Sequence, residues 1–249
     1  MKALSLIALF ACIIAAGTIR WALDTQNSSS TPLVEKSAQP VVATPIPTPG
    51  TKPSASSTPT TALPAASQLQ VAFTSQAPFG VWDPLHEDAC EEASFLMVQH
   101  YLNGAMSINK EVVDAEIQDF VHWQEARGYG LSITLNDLNT VVAAKYGLKT
   151  GQVTRNVTAQ DIKREIVAGR PVILGMAGKL LANPNFKDGG PIYHMLVVTG
   201  YDATGFVTND PGTRLGEDYH YDYDLFMNAI HDWDAENILN GGRSMLTFR

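Results

Sequence analysis

The sequence predicts an α+β domain over residues 69–249, and three observations carry that expectation. Capped, amphipathic helical segments fill the first half of this stretch, and apolar runs of strand type fill the second. The two kinds do not alternate, which argues against a doubly wound parallel sheet and for N-terminal helices followed by an antiparallel sheet.

Taken in order, Gln70 to Phe73 reads as a short strand, followed by a turn-rich loop with Pro78, Gly80 and Pro84. Asp88 is placed to cap a helix from about Ala89 to Leu102, with Ala93, Leu96, Met97 and Tyr101 on one face. Asn109 opens a second helix bearing Val113, Ile117, Phe120 and Val121. Thr134 opens a third, with Leu135, Leu138, Val141, Val142 and Tyr146. Thr158 opens a fourth, which Gly169 ends. Strand-type runs follow at Pro171–Gly175, Met195–Thr199, Phe206–Thr208 and Met245–Phe248. No internal repeat is visible.

Two zones precede this domain. Residues 1–23 contain an apolar run from Ala3 to Ile19, closed by Arg20 and Trp21. At 1.5 Å per residue the run reaches about 25 Å, slightly short of a hydrocarbon core of about 30 Å. Three readings fit it: a retained N-terminal anchor, a signal peptide cut near Ala15-Ala16-Gly17, or a lipoprotein signal ending on Cys12. Each puts the rest of the chain outside the cytoplasm. Residues 24–68 hold eight prolines among Ser, Thr and Ala, with no aromatic residue and no apolar period. Such a segment buries too little surface to offset its ordering entropy, so a disordered tether is expected. It is either a spacer across a wall or periplasm or a generic linker.

Charge narrows the partners. The chain carries −8; Lys2, Arg20, Lys36 and Lys52 against Asp24 and Glu35 put +2 in residues 1–68, so residues 69–249 carry −10. No basic stripe interrupts that acidic stretch, which disfavours nucleic acid and anionic polymers as partners. A membrane is reached through the N-terminal segment only. Cys12 and Cys90 are the only cysteines. A disulfide framework and a Cys-cluster zinc site are therefore excluded, and an unpaired thiol in an exported domain points to chemistry. The remaining histidines are scattered without metal-ligand spacing, no phosphate-cradling Gly loop is present, and no metal or cofactor is expected. The alternating Asp218, Tyr219, Tyr221, Asp222, Tyr223 and Asp224 read as a solvated strand or loop more readily than as a calcium site. No feature sets an oligomeric state.

Four residues form a candidate site. Cys90 falls at a helix start, where unpaired amides and the dipole favour a thiolate. Glu91 and Glu92 oppose this, so a cationic imidazole has to supply most of the stabilisation. His194 stands at the mouth of the Met195–Thr199 strand, able to present its ring to a cleft. Asp210, in Asn209-Asp210-Pro211-Gly212 just past the next strand, is placed to orient an imidazole. Gln76 is placed to donate its side-chain amide to an oxyanion beside the Cys90 amide. Each has a plainer alternative: an inert buried thiol, an edge-strand histidine, a turn former and a solvated glutamine.

The order Gln, Cys, His, Asp resembles that of papain-type sites. Residues 71–101, VAFTSQAPFGVWDPLHEDACEEASFLMVQHY, resemble the front of a double-glycine (bacteriocin-processing) peptidase-like domain, family thirty-nine of the cysteine peptidases. Residues 169–202, GRPVILGMAGKLLANPNFKDGGPIYHMLVVTGYD, and residues 209–226, NDPGTRLGEDYHYDYDLF, resemble the His and Asp blocks of the same family. The resemblance spans residues 69–249. It implies a papain-like fold with Cys90 as nucleophile, His194 as base, Asp210 as orienter and Gln76 as oxyanion donor. Many members carry Gly after the nucleophile, whereas Cys90-Glu91-Glu92-Ala93-Ser94 is similar to a stand-alone subgroup. The ATP-binding transporter halves of bacteriocin exporters are absent, so leader removal at a double glycine is not implied. The expected activity is thiol-dependent hydrolysis of a peptide or isopeptide bond in a peptide or protein substrate at the cell surface. The alternative is a catalytically silent, tethered peptide- or wall-binding domain; acyl transfer would use the same residues.

Overall fold

In the computed structural model, residues 62–249 are described. The expectations for residues 1–61, anchor and most of the tether, lie outside them. Where the tether was expected to run to residue 68, the packed domain begins earlier. Ser67–Gln68 forms strand β1, antiparallel to Gly200–Tyr201, and the Tyr201 hydroxyl donates to the Pro64 carbonyl at 2.9 Å.

Helices follow as α1 (Pro84–Glu87), α2 (Cys90–Leu102), α3 (Lys110–Glu125) and α4 (Leu135–Tyr146). Then come β2 (Gly151–Arg155), α5 (Ala159–Val167), β3 (Val172–Ala177), β4 (Tyr193–Tyr201), β5 (Gly205–Asn209), β6 (Tyr219–Asp222), α6 (Tyr223–Ala229) and β7 (Ser244–Phe248). All the strand pairings are antiparallel, in the order β2-β7-β3-β4-β5-β6. β3 pairs with β4 only as far as Val198, and beyond it β1 takes the same side of β4.

Three helix starts are built as the sequence expects. Asn109 accepts from the Val112 amide at 2.9 Å, and Thr134 and Thr158 form reciprocal capping boxes with Asp137 and Asp161. A cap of this kind stabilises by about 1 kcal/mol. Asp88 does not cap α2. Pro84–Glu87 makes its own helical turn, capped by Asp83 with Pro84 at its first position; Asp88 ends that turn, and Ala89 precedes α2 with no side-chain cap. Gln70–Phe73 is not a strand either. The Leu69 amide donates to Thr199 at 2.8 Å, and Val71 then folds back onto the Leu69 carbonyl, which takes the chain off the sheet.

The sheet is covered on both faces. Tyr193, Met195 and Val197 of β4, with Ile173, Leu246 and Phe248, pack into one core with α2, α3 and α4. Leu196 and Val198, with Leu174, Met176 and Phe206, pack into a second core with Ile162 and Ile166 of α5 and Phe226 of α6. This alternation is the two-residue period of a strand buried on both sides. Phe95 of α2 anchors the first core, with the rings of Phe120, Tyr146 and Phe248 at 5.0–5.8 Å. Burying such a ring contributes about 2–3 kcal/mol. The fold is α+β and papain-like: the helix that starts at the cysteine lies against the antiparallel sheet whose strands position the histidine and aspartate.

Candidate active site

β4 and β5 bring the histidine and aspartate together. Val197 pairs with Asn209, so Asp210 leaves β5 one residue past the ladder, close to where β4 begins. His194 is the second residue of β4, opposite Met176, and is 1% exposed. Its Nε2 lies 2.7 Å from Asp210 Oδ1, and Asp210 is wholly buried. Phe186 stands edge-on to the imidazole at 5.3 Å and 77°. A Cβ at Gly212 would lie 2.9 Å from His194 Cε1 and 3.0 Å from Phe186, so only glycine lets the Asp210 loop close this tightly on the ring.

The Asp210 carboxylate is saturated with donors. Oδ1 accepts from His194 and from the Gly212 amide at 3.0 Å. Oδ2 accepts from the Tyr221 hydroxyl at 2.6 Å and from Asn183 Nδ2 at 3.4 Å; Asn183 Nδ2 also donates to the Tyr221 oxygen at 2.7 Å. Burial pushes the Asp210 pKa up, but the His194 ring and the Tyr221 and Gly212 bonds outweigh it and hold it below the ordinary carboxylate value. Neither Asn183 nor Tyr221 was singled out for this role in the sequence. Tyr221 carried a signal in the alternation of Tyr219 and Tyr221, which puts both rings on one face of β6 at 4.7 Å. Nothing in the sequence around Asn183 points to it.

Cys90 is the first residue of α2, so its amide has no acceptor within the helix. It and His194 line one cleft of about 670 Å³, together with Gln76, Glu91, Trp82 and Leu215. The expected depressed thiol is not what the resting site holds. Among the described residues no hydrogen bond joins Cys90 to His194; the thiol donates instead to Glu91 Oε2 at 2.9 Å. Burial, the charge of Glu91, that hydrogen bond and the charge of Glu92 together push the thiol well above its ordinary range, against the opposing effect of the Met195 amide. Glu91 and Glu92, first-turn residues that a helical pattern assigns to solvent, are 1% and 2% exposed.

Gln76 also reaches the cleft, but with its amide engaged. Nε2 donates to the His86 carbonyl at 2.8 Å and the Glu87 carbonyl at 2.9 Å, and Oε1 is buried without a partner. Turning the amide over would set its oxygen against two carbonyls, so the hydrogen-bond network fixes this orientation. Both N–H groups are therefore spent, and an oxyanion would have to draw one away. The α1 turn that offers those carbonyls is pinned by the His86 ring, with Nδ1 at 2.8 Å from Asp83 and Nε2 at 3.1 Å from Asp114. Among the described residues no cluster of three or more His, Cys, Asp or Glu is arranged to hold a metal, and no helix is long and apolar enough to cross a membrane.

Comparison with known proteins gives a family. No curated protein matches the chain. A solved structure of a presumptive C39-like peptidase from Bacillus anthracis is similar at 15% identity and a TM-score of 0.49, covering 74% of this chain and 97% of that one. The model of the Peptidase_C39 like family matches residues 68–237, well over half of the chain and every residue of the site just described. The chain belongs to the Peptidase_C39 like family.

Proposed function

We propose that the domain is a thiol-dependent hydrolase of peptide or isopeptide bonds, working outside the cytoplasm on a peptide or protein substrate, with residues 1–23 as its membrane or export segment. The observation that carries this reading is the fully buried His194–Asp210 couple at the wall of a cleft that Cys90 enters from a helix N-terminus. Because Nε2 is held by Asp210, Nδ1 is the nitrogen left to take the thiol proton. Sulfur then attacks the substrate carbonyl, the free Cys90 amide meets the developing oxyanion, and His194 returns the proton to the leaving amine. Water, activated by the same ring, releases the acyl group from sulfur.

One observation favours the silent, peptide-binding reading: a buried thiol whose proton is held by Glu91. A quenched fluorogenic peptide library incubated with the full-length chain separates the two. Hydrolysis that disappears in Cys90→Ala and His194→Ala supports the enzyme. Peptide binding without cleavage in the wild type, unchanged in both variants, contradicts it.

A further inference from the structure

The proposed mechanism leaves Glu91 without a part, although it touches the reacting sulfur. Its Oε2 accepts a hydrogen bond from the Cys90 thiol at 2.9 Å, and its Oε1 accepts from the Ile133 amide at 3.3 Å. The side chain is buried at the cleft wall, and its partners come from the first residue of α2 and the loop before α4. Glu87, Lys187, Asp188 and Arg214 line the same cleft, and none of them is hydrogen-bonded to Glu91. On the same helix stand Cys90 and Glu92, with Asp88 just before it; from β4 come Tyr193 and His194; and Asp232 and Asp137 lie beyond the Tyr193 ring. Of the groups whose charge acts on Glu91 directly, His194 is the one that can be positive, and Asp210 already engages it. A thiolate formed beside an ionised Glu91 would place two like charges in hydrogen-bond contact inside the protein.

Building on the hydrolase reading above, we propose that Glu91 is a built-in restraint on the nucleophile: ionised, it holds Cys90 as a neutral thiol, and protonated, it releases Cys90 to His194. Uptake of one proton turns the carboxylate into an acid whose O–H donates to sulfur. The S–H bond breaks as its proton passes to Nδ1 of His194, leaving a thiolate and an imidazolium, with no change in electron count. Burial raises the Glu91 pKa to about 7, against the opposing effects of the thiol, the Ile133 amide and His194, so the change of state falls near neutrality. The site is armed on the acid side of it.

The test is the alkylation rate of Cys90 against pH in the full-length chain, read by peptide mass mapping so that Cys12 does not contribute. Glu91→Gln keeps the size and the acceptor for Ile133 but turns an N–H toward sulfur. The expected result is a Cys90 profile shifted at least one pH unit lower, with a rate at pH 7 raised tenfold or more. An unchanged profile, or one shifted higher as loss of a base would give, overturns the proposal. Should Glu91→Gln fail to fold, the Ile133 amide resonance of the wild-type chain reports the Glu91 titration. Its inflection is expected near neutral pH and should move upward in Cys90→Ala, which removes the donor that favours the carboxylate; no inflection, or one that does not move, overturns it. Neither readout contains substrate. A chain that hydrolyses nothing yet shows the shift removes the hydrolase reading alone, and one that hydrolyses peptides without the shift removes the Glu91 restraint alone.

Discussion

Replacing Tyr221 with Phe deletes one oxygen and isolates the part of the site that lay hidden in the sequence. That oxygen donates to Asp210 Oδ2 at 2.6 Å and receives Asn183 Nδ2 at 2.7 Å. Without it, Oδ2 of a fully buried carboxylate keeps only the Asn183 amide at 3.4 Å. A hydrogen bond to a charged group contributes about 1.5–3 kcal/mol, and Asn183 can recover part of the loss by moving onto Oδ2. A net destabilisation of about 2 kcal/mol follows, which for a domain of this size lowers the melting temperature by roughly 4–8 °C. Urea unfolding of the full-length chain at pH 7 measures it, in a double-mutant cycle with Asp210→Ala. In the Asp210→Ala background the tyrosine substitution should cost little, because the acceptor is already gone. If Tyr221→Phe costs as much there as in the wild type, the hydroxyl acts through its bond with Asn183 and the carboxylate argument is wrong.

Three further outcomes follow from the same geometry. Because Asp210 is held below the ordinary carboxylate value, it stabilises the fold fully above a pH of about 4 and loses that contribution as pH falls through its folded value; urea unfolding between pH 6 and 2.5 should show this acid limb in the wild type and a flatter one in Asp210→Asn, and equal limbs would contradict it. Gly212→Ala drives a methyl group into His194 and Phe186, so it should cost about 1–3 kcal/mol in unfolding experiments and most of the turnover, and wild-type behaviour would show that the loop yields freely. Gln76→Ala strips the donor from two carbonyls of the α1 turn and should lower stability by about 1–3 kcal/mol in a thermal melt; full stability with lost turnover would instead restore Gln76 as a dedicated oxyanion donor.

How much of this was legible depends on whether the controlling interaction was local. Asn109, Thr134 and Thr158 cap helices through bonds to amides three residues on, a pattern the chain displays openly. The runs that became β3, β4, β5 and β7 are buried on both faces, which makes them near-continuously apolar. β2 escaped notice because it is a sheet-edge strand, Gly151-Gln152-Val153-Thr154-Arg155, half exposed and with no apolar run to give it away. Asp88 misled because an aspartate before a helix is a strong local signal, and the α1 turn that displaced it is only four residues long. Glu91 and Glu92 were legible as charges opposing a thiolate but not as buried groups. Their burial comes from the α3 residue Gln124, the Ile133 amide and the cleft wall, all distant in sequence. Likewise the histidine and aspartate were visible as types in chain order, while the donors that fix Asp210 arrive from β6 and the loop after β3.

The most direct test of the hydrolase reading is to trap the acyl-enzyme. The full-length chain is mixed with a cleaved peptide, quenched in acid within the first turnovers, and mapped by mass spectrometry. The expected result is the mass of the acyl portion on Cys90 as a thioester, lost on hydroxylamine treatment and absent from His194→Ala. Peptide cleavage with Cys90 never acylated, or cleavage undiminished in Cys90→Ala, would contradict the assignment of that sulfur as the nucleophile.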